Sequence, residues 1–426
     1  MTQFKAVFFY TFAMLFCLTY QHKAIGQEGV RLLFYPGIFL LCLSIFYLSI
    51  KLMHQNGFIA RLRFDQYTIP VFFLCLYFIS SIQSAPLNRV LQIVFMNILP
   101  FLMLMCFAGY VSEKHFPHCI AQFFGGFAIL FSVIALLMYI GILDIECGPF
   151  ILARNELNFP RLHGSSGDPT SLGAAAGLGA LAIYYLFSMQ SNKKTYVVIG
   201  TVLVFFLLIV MVMAGSRNGL ISFTSGIIVM KLWRFKSPHE TVRFLLLMIG
   251  FSILGLIILL LLPPQIKEFL ALVFRLKEDA MGQVRFELWD QALDLFYSSS
   301  LGDMFWGHGL GFLKANIRSS HNFYLDSLID HGAIFIVLFI VYVVFLFRRL
   351  LRVRSTYYAG NSCFAVGLLT FSLVFAFFLN SLFTLFFYIS NFAFLCSIVM
   401  ISQLGVIRRT SQQTQFDHAG IITRRR

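Results

Sequence analysis

Runs of about 20 mainly apolar residues, the length that carries a helix across a bilayer, follow one another along almost the whole chain. Lipid offers no partner for open backbone groups, so each run must close its own hydrogen bonds as helix. The runs lack the apolar/polar alternation of strands, and turn residues fall between them. Twelve stand out, roughly 4–20, 32–52, 66–82, 88–111, 119–142, 169–189, 195–213, 218–235, 243–262, 331–351, 363–381 and 383–404. The first and the eighth are short or impure, so the count is eleven or twelve. Only residues 263–330 form a long polar interruption. A 59% hydrophobic share, a 12% charged share and a mean hydropathy of +0.83 exclude a soluble domain. The expected architecture is an all-α polytopic membrane protein of about 12 transmembrane helices. One transmembrane domain spans 1–404, the 263–330 loop within it carries amphipathic helices, and a basic tail at 405–426 is expected to be disordered.

Basic residues set the sidedness. With both termini inside, Lys5, Lys51, Lys114, Lys193, Lys194, Arg234, Arg348, Arg349 and Arg424 to Arg426 all fall on the inner side, among others. Only Asp65, Glu113, Glu240 and Asp417 oppose them there. The net charge of +14 is therefore a topology signal and not a nucleic-acid footprint. No nucleic-acid partner is expected, and the long loop faces outward. Residues 4–20 resemble a signal peptide, but no small-x-small cleavage site follows at Thr19 to His22, so they are read as a retained first span. Of the eight cysteines only Cys147 clearly lies outside. No CxxC or Cys/His metal spacing occurs, so no disulfide and no metal site is expected.

Three outward polar breaks hold the candidate chemistry. The first, 143–168, closes with Arg161 and with Asp168-Pro169, a good N-cap followed by a good first helical residue. Gly173, Ala174, Ala175, Ala176, Gly177 and Gly179 then form a small-residue face that lets a neighbouring helix approach closely. Arg161 either belongs to a plain capped turn or faces an anionic lipid or sugar at headgroup level. The second break, Ala214 to Gly219, is so short that Arg217 sits at the membrane boundary. A charge at full depth costs roughly 2.5–3.5 kcal/mol. Arg217 therefore either snorkels to headgroups or grips phosphate oxygens with its planar guanidinium fork.

The third break is the long loop. Residues 266–278 and 283–297 both have helical periodicity, the second with Phe286, Trp289, Leu293 and Phe296 on one stripe and Asp290 and Asp294 on another face. Arg285 opens this second helix and either pairs with Glu287, Asp290 or headgroups, or binds an anion. Trp306 to Gly311 is too glycine-rich for helix. The loop ends Arg318-Ser319-Ser320-His321-Asn322, and helix resumes over 321–332. Helix N-terminal backbone groups disfavour an imidazolium, which leaves His321 neutral as a general base requires. A metal site built from His308, His321, Asp326, Asp330 and His331 lacks a tight ligand motif, and Arg318 and Arg285 would repel a cation.

Three motifs in order, Gly215-Ser216-Arg217-Asn218-Gly219-Leu220, then Val284-Arg285-Phe286-Glu287-Leu288-Trp289-Asp290-Gln291-Ala292, then His321-Asn322 followed by Gly332, resemble the O-antigen ligase superfamily. That group holds the WaaL-type ligases and many Wzy-type polysaccharide polymerases. Arg161 to Gly173 is similar to a segment of many members. Phe335 departs from the Gly, Thr or Tyr usual in ligases, so ligase and polymerase both stay open. The resemblance implies a C-type glycosyltransferase of the bacterial inner membrane, working on the periplasmic face without cofactor or metal. Arg217, Arg285 and Arg161 would hold the diphosphate of an undecaprenyl-diphosphate-linked glycan donor, standing in for Mg²⁺ as negative charge builds on the leaving group. His321 would sit beside the reacting sugar, with Arg318, Asn322 and Asp168 as candidate acceptor or sugar contacts. The acceptor is lipid A-core for a ligase of lipopolysaccharide O-antigen and a lipid-linked repeat unit for a polymerase. Inversion by single displacement is expected, and other polysaccharide-assembly proteins are candidate partners. The rival reading is a polysaccharide or lipid transporter or flippase. Transporters place polar groups near the bilayer midplane, where Asn97 and Asn380 are the best candidates, whereas polar residues here gather at the outer rim.

Overall fold

The computed structural model describes residues 115–142, 169–189, 194–267, 279–309, 311–317, 320–354, 359–378 and 391–404, with positions 104, 105, 108 and 162. Every regular element among the described residues that these ranges contain is helical. In chain order they are α1 (Phe116–Tyr139), α2 (Pro169–Met189), α3 (Lys194–Met213), α4 (Arg217–Arg234) and α5 (Pro238–Leu261). Then follow α6 (Asp279–Tyr297), α7 (Leu301–Trp306), α8 (Phe312–Asn316), α9 (Phe323–Arg354), α10 (Ala359–Phe378) and α11 (Asn391–Leu404). By length and composition α1, α2, α3, α9 and α10 can cross a membrane. The expected runs at 119–142, 169–189, 195–213 and 363–381 thus appear as helices within a few residues. The first three expected spans lie outside the described residues, as does all of the fourth but the helical positions 104, 105 and 108. The expected helix at 266–278 is described only at 266 and 267, which are helical.

Helix α2 is the hub. Residues Ser171 to Ile183 are all buried, and α1, α3, α4 and α10 surround them. The small-residue face explains how four neighbours fit. A Cβ on Gly179 would lie 2.1 Å from the Ala128 Cβ of α1, and one on Gly177 would lie 2.9 Å from the Phe371 ring of α10. Near the start of the helix, a Cβ on Gly173 would fall 2.0 Å from Ser216 Oγ, and one on Gly219 would fall 2.6 Å from the Gly173 carbonyl oxygen. Backbone therefore touches backbone where α2 begins and α4 begins, and this contact seats the short α3–α4 turn. Around the hub the core is aromatic, with Phe116, Phe124, Phe127, Phe131, Phe364, Phe371 and Phe375 fully buried.

The other end of α4 is fastened by Arg354 at the end of α9. Its Nε donates to the Trp233 carbonyl (2.9 Å) and its guanidinium also donates to the Leu232 and Phe235 carbonyls. A cation on the open carbonyls of a helix C-terminus is favoured by the helix dipole. Helix α4 has 18 residues, which at 1.5 Å per residue separates this basic end from Arg217 by about 27 Å.

Because Gly219 meets backbone and not a yielding side chain, Gly219→Ala should destabilise the protein by about 1–3 kcal/mol through overpacking. Gly250→Ala, in open space on α5, should leave the melting temperature unchanged or raise it. Thermal unfolding of both variants in the same detergent checks the contrast.

Candidate functional site

The α3–α4 turn is built by two caps in succession. Gly215 (φ 60) ends α3 in a Schellman arrangement, with the Ser216 N–H donating to the Met211 carbonyl (3.0 Å) and the Gly215 N–H to Val212 (2.9 Å). Only glycine adopts this left-handed position without strain. Ser216 then serves at once as N-cap of α4, its Oγ accepting from the Gly219 N–H at 3.2 Å. Arg217 is consequently the first residue of α4 and is exposed. A cation at this end of a helix adds to the positive pole of the dipole and to its open N–H groups. The corner is electropositive and suited to an anion. Buried Leu162 donates its N–H to the Met213 carbonyl at 3.3 Å, so the chain beside Arg161 is fastened to the same turn. Arg161 itself lies outside the described residues.

Helix α6 brings the second arginine. Arg285 is half-buried, and burial first and the Arg217 guanidinium second push its own guanidinium below the usual arginine range. The two arginines are thus electrostatic neighbours although they stand 68 positions apart in the sequence. Among the described residues no ion pair joins either to a carboxylate, so the expected pairing of Arg285 with Glu287 or Asp290 is not what holds it. The buried face of α6 is also turned relative to the expected stripe. Phe286 is 62% exposed, whereas Ala292 is fully buried against Leu313 and Ile329, with Leu295 and Phe296 beside it. The short Ala292 lets α6 come close to α8 and the start of α9.

Trp289, one helical turn after Arg285 and so on the same face, links this helix to the third motif. Its indole N–H donates to the Ser320 carbonyl at 2.9 Å. Ser320 is buried, and both its N–H (3.0 Å) and its hydroxyl donate to Asp326 Oδ1 on the first turn of α9. Asn322, also buried, caps α9 through its Oδ1, which accepts from the Tyr324 N–H at 3.0 Å. Between these two anchored neighbours His321 is exposed and has φ 56, the one non-glycine residue with positive φ among the described residues. Left-handed backbone at a residue other than glycine is sparsely populated and persists where the surroundings over-determine it. Here the flanking hydrogen bonds do so.

The segment behind His321 is rigid for a different reason. Helix α9 breaks at Gly332 (φ 82, ψ 170). The carbonyls that the break leaves open are met by the loop after α7: the His308 N–H donates to Ile329 (3.0 Å) and the Gly309 N–H to Asp330 (2.8 Å). The Asp330 carboxylate accepts in turn from the Gly311 (2.7 Å) and Leu313 (3.1 Å) N–H groups. Gly307 and Gly332 lie face to face, and a Cβ on Gly332 would fall 2.2 Å from the Phe305 carbonyl oxygen. The glycine-rich stretch from Gly307 is non-helical as expected, but two short helices, α7 and α8, flank it, and the expected helix from 321 begins at Phe323.

Asp326 and Asp330 are thus engaged in separate hydrogen-bond sets and do not share one site. Among the described residues no group of three or more His, Cys, Asp or Glu could hold a metal ion. Ser299, His308 and Asp303 have the residue types of a nucleophilic triad, with Ser299 Oγ 2.7 Å from His308 Nε2. The His308–Asp303 separation is 3.9 Å, too long for an orienting hydrogen bond, and the Ser299 hydroxyl already donates to the Leu295 carbonyl at 2.6 Å. The set works as a clasp at the end of α6.

Of the residues singled out from sequence, Arg217, Arg285, His321 and Asn322 are described, and a chain of contacts from α4 through α6 to α9 connects them. Arg161, Asp168, Arg318, Asn97 and Asn380 lie outside the described residues. Trp289, Ser320, Asp326 and Asp330 were not assigned roles from sequence. Their signal is weak, since Trp289 and Asp330 act on backbone groups 17 to 31 positions away and Ser320 and Asp326 act on each other across a turn.

Residues 202–340, from α3 into α9, match the family model Wzy_C, O-antigen ligase, so this part of the chain is similar to that family. All three motifs fall inside the match, which supports a membrane ligase- or polymerase-type activity in polysaccharide biosynthesis. No curated protein matches the chain.

Removing the Asp330 carboxylate leaves two buried N–H groups without their acceptor, which costs about 1–3 kcal/mol. Asp330→Ala should therefore loosen the 307–317 loop, read as faster limited proteolysis there with α4 and α10 still protected.

Proposed function

We propose that the chain is a metal-independent glycosyltransferase that moves an undecaprenyl-diphosphate-linked glycan onto an acceptor sugar at the outer face of the bacterial inner membrane. The observation that carries this reading is the electrostatic coupling of half-buried Arg285 to exposed Arg217, with no carboxylate paired to either among the described residues, on an electropositive helix end, linked through α6 to the His321 turn. Two like charges held near each other, one of them partly desolvated, are unfavourable unless an anion joins them, and a diphosphate fits two guanidinium forks.

In the step we infer, an acceptor hydroxyl attacks the anomeric carbon of the donor and His321 takes the hydroxyl proton. The new glycosidic C–O bond forms as the bond from the anomeric carbon to the phosphate oxygen breaks. The electron pair leaves on the diphosphate, where Arg217 and Arg285 meet the growing charge. Arg161 would add a third cation, and Arg318, Asn322 and Asp168 would contact acceptor or sugar. A single displacement of this kind inverts the anomeric carbon. The family match supports both ligase and polymerase, with lipid A-core or a lipid-linked repeat unit as acceptor and other polysaccharide-assembly proteins as candidate partners.

A lipopolysaccharide gel with an anti-O-antigen blot, from a deletion strain complemented with wild type or variants, tests the reading. Bare core with lipid-linked ladder behind it in the deletion strain means ligase. Core bearing a single repeat means polymerase, and an unchanged ladder points to another surface polymer. His321→Ala should lower the transfer rate by about 10²–10⁴, and normal product from it would remove the base from the scheme.

Each guanidinium–phosphate contact, at about 1.5–3 kcal/mol, should make Arg217→Ala or Arg285→Ala weaken donor binding roughly tenfold to hundredfold. Since neither residue has a paired carboxylate to lose among the described residues, neither variant should lower the melting temperature. Donor titration and thermal unfolding of purified variants check both halves.

A further inference from the structure

We infer that Trp289 is a positioning residue that couples the diphosphate-binding helix to the His321 turn, so that both act on one substrate molecule. The inference rests on the proposed transferase reading and adds a residue to it. Three observations carry it. Trp289 lies one turn from Arg285 on the same face of α6, and its only polar atom donates to the Ser320 carbonyl, immediately before His321, at 2.9 Å. His321 holds a left-handed backbone (φ 56) that its own chemistry does not favour. The turn is gripped from the opposite side by Asp326, which accepts from the Ser320 N–H at 3.0 Å and from the Ser320 hydroxyl. Ser320 is thus held between α6 and α9, and His321 has no freedom to drift from the arginine helix while the hydrogen bond lasts.

The ring is held independently of its N–H. It meets Phe286 edge-on at 5.5 Å and Phe377 of α10 at 6.2 Å. Trp289→Phe therefore keeps an aromatic wedge in place and deletes the donor alone. A misplacement of about 1 Å between reacting groups lowers rates by up to about 10²-fold. Loss of the latch is expected to reduce turnover without loosening the arginines' hold on the diphosphate.

The test uses the full chain in lipid nanodiscs with the host's undecaprenyl-diphosphate-linked repeat unit as donor. Turnover, donor KM and melting temperature are measured for wild type, Trp289→Phe, Asp326→Asn, Asp326→Ala, Arg285→Ala and His321→Ala. Trp289→Phe should lose about tenfold in kcat with donor KM within about twofold of wild type and an unchanged melting temperature. Asp326→Asn keeps the Oδ1 acceptor and serves as the conservative control with near-wild-type kcat. Asp326→Ala, the second latch variant, removes the acceptor and loosens the same turn from the α9 side without touching α6. It should reproduce the kcat-only loss and stands in should Trp289→Phe fail to fold. Arg285→Ala should instead raise KM. Wild-type kcat in either folded latch variant, or a KM rise in Trp289→Phe matching that of Arg285→Ala, would overturn the latch. Wild-type turnover in His321→Ala would overturn the transferase scheme itself, an outcome separable from failure of the latch.

Discussion

Backbone carbonyls left open where α9 breaks at Gly332 need donors, and the loop after α7 is folded around that need. In a membrane helix such groups have little water to turn to. The N–H groups of His308 and Gly309 fill the gap, which requires the loop to run within backbone contact of the helix. That approach is why glycine stands at both Gly307 and Gly332, each with φ 82. The Asp330 side chain then spends its two oxygens on the next stretch of loop. One break in one helix thereby organises the platform from which the His321 turn projects.

The paired arginines obey the opposite logic. Arg354, by contrast, does structural work on the α4 carbonyls. Arg217 and Arg285 are held near each other at a helix end of the same sign, an arrangement that lowers the stability of the empty protein. Such strain is tolerated where a ligand supplies the missing charge. The rigid contact of Gly173 with Ser216 and Gly219 is what prevents Arg217 from relaxing away.

Much of the architecture was readable in advance, because lipid leaves an apolar run no alternative to helix: α1, α2, α3 and α10 fall within a few residues of the runs that anticipate them. The three motifs were readable as well, since capping chemistry (Gly215, Ser216, Asn322) and the residue types Arg217, Arg285 and His321 are local. What could not be read was rotation and pairing. The apolar stripe of α6 starts at Phe286, yet Phe286 is exposed and it is Ala292, off that stripe, that is buried against the protein. An isolated helix shows which residues are apolar but not how closely a neighbour approaches, and here the approach of Leu313 and Ile329 favours the smallest side chain.

The sequence by itself determined that this chain is helical with helices apolar enough to cross a membrane, where its helices turn, and which arginines and histidine stand at the polar breaks. These follow from the hydrogen-bonding demands of lipid and from the φ preferences of glycine and capping residues, both of which act within a few positions. Only the tertiary structure decided that Arg217 and Arg285 are electrostatic neighbours, that Trp289 reaches the carbonyl beside His321, and that the loop after α7 repairs the break in α9. Those depend on single hydrogen bonds and close contacts between segments far apart in the chain, whose geometry exists only once α2, α4, α6 and α9 have packed.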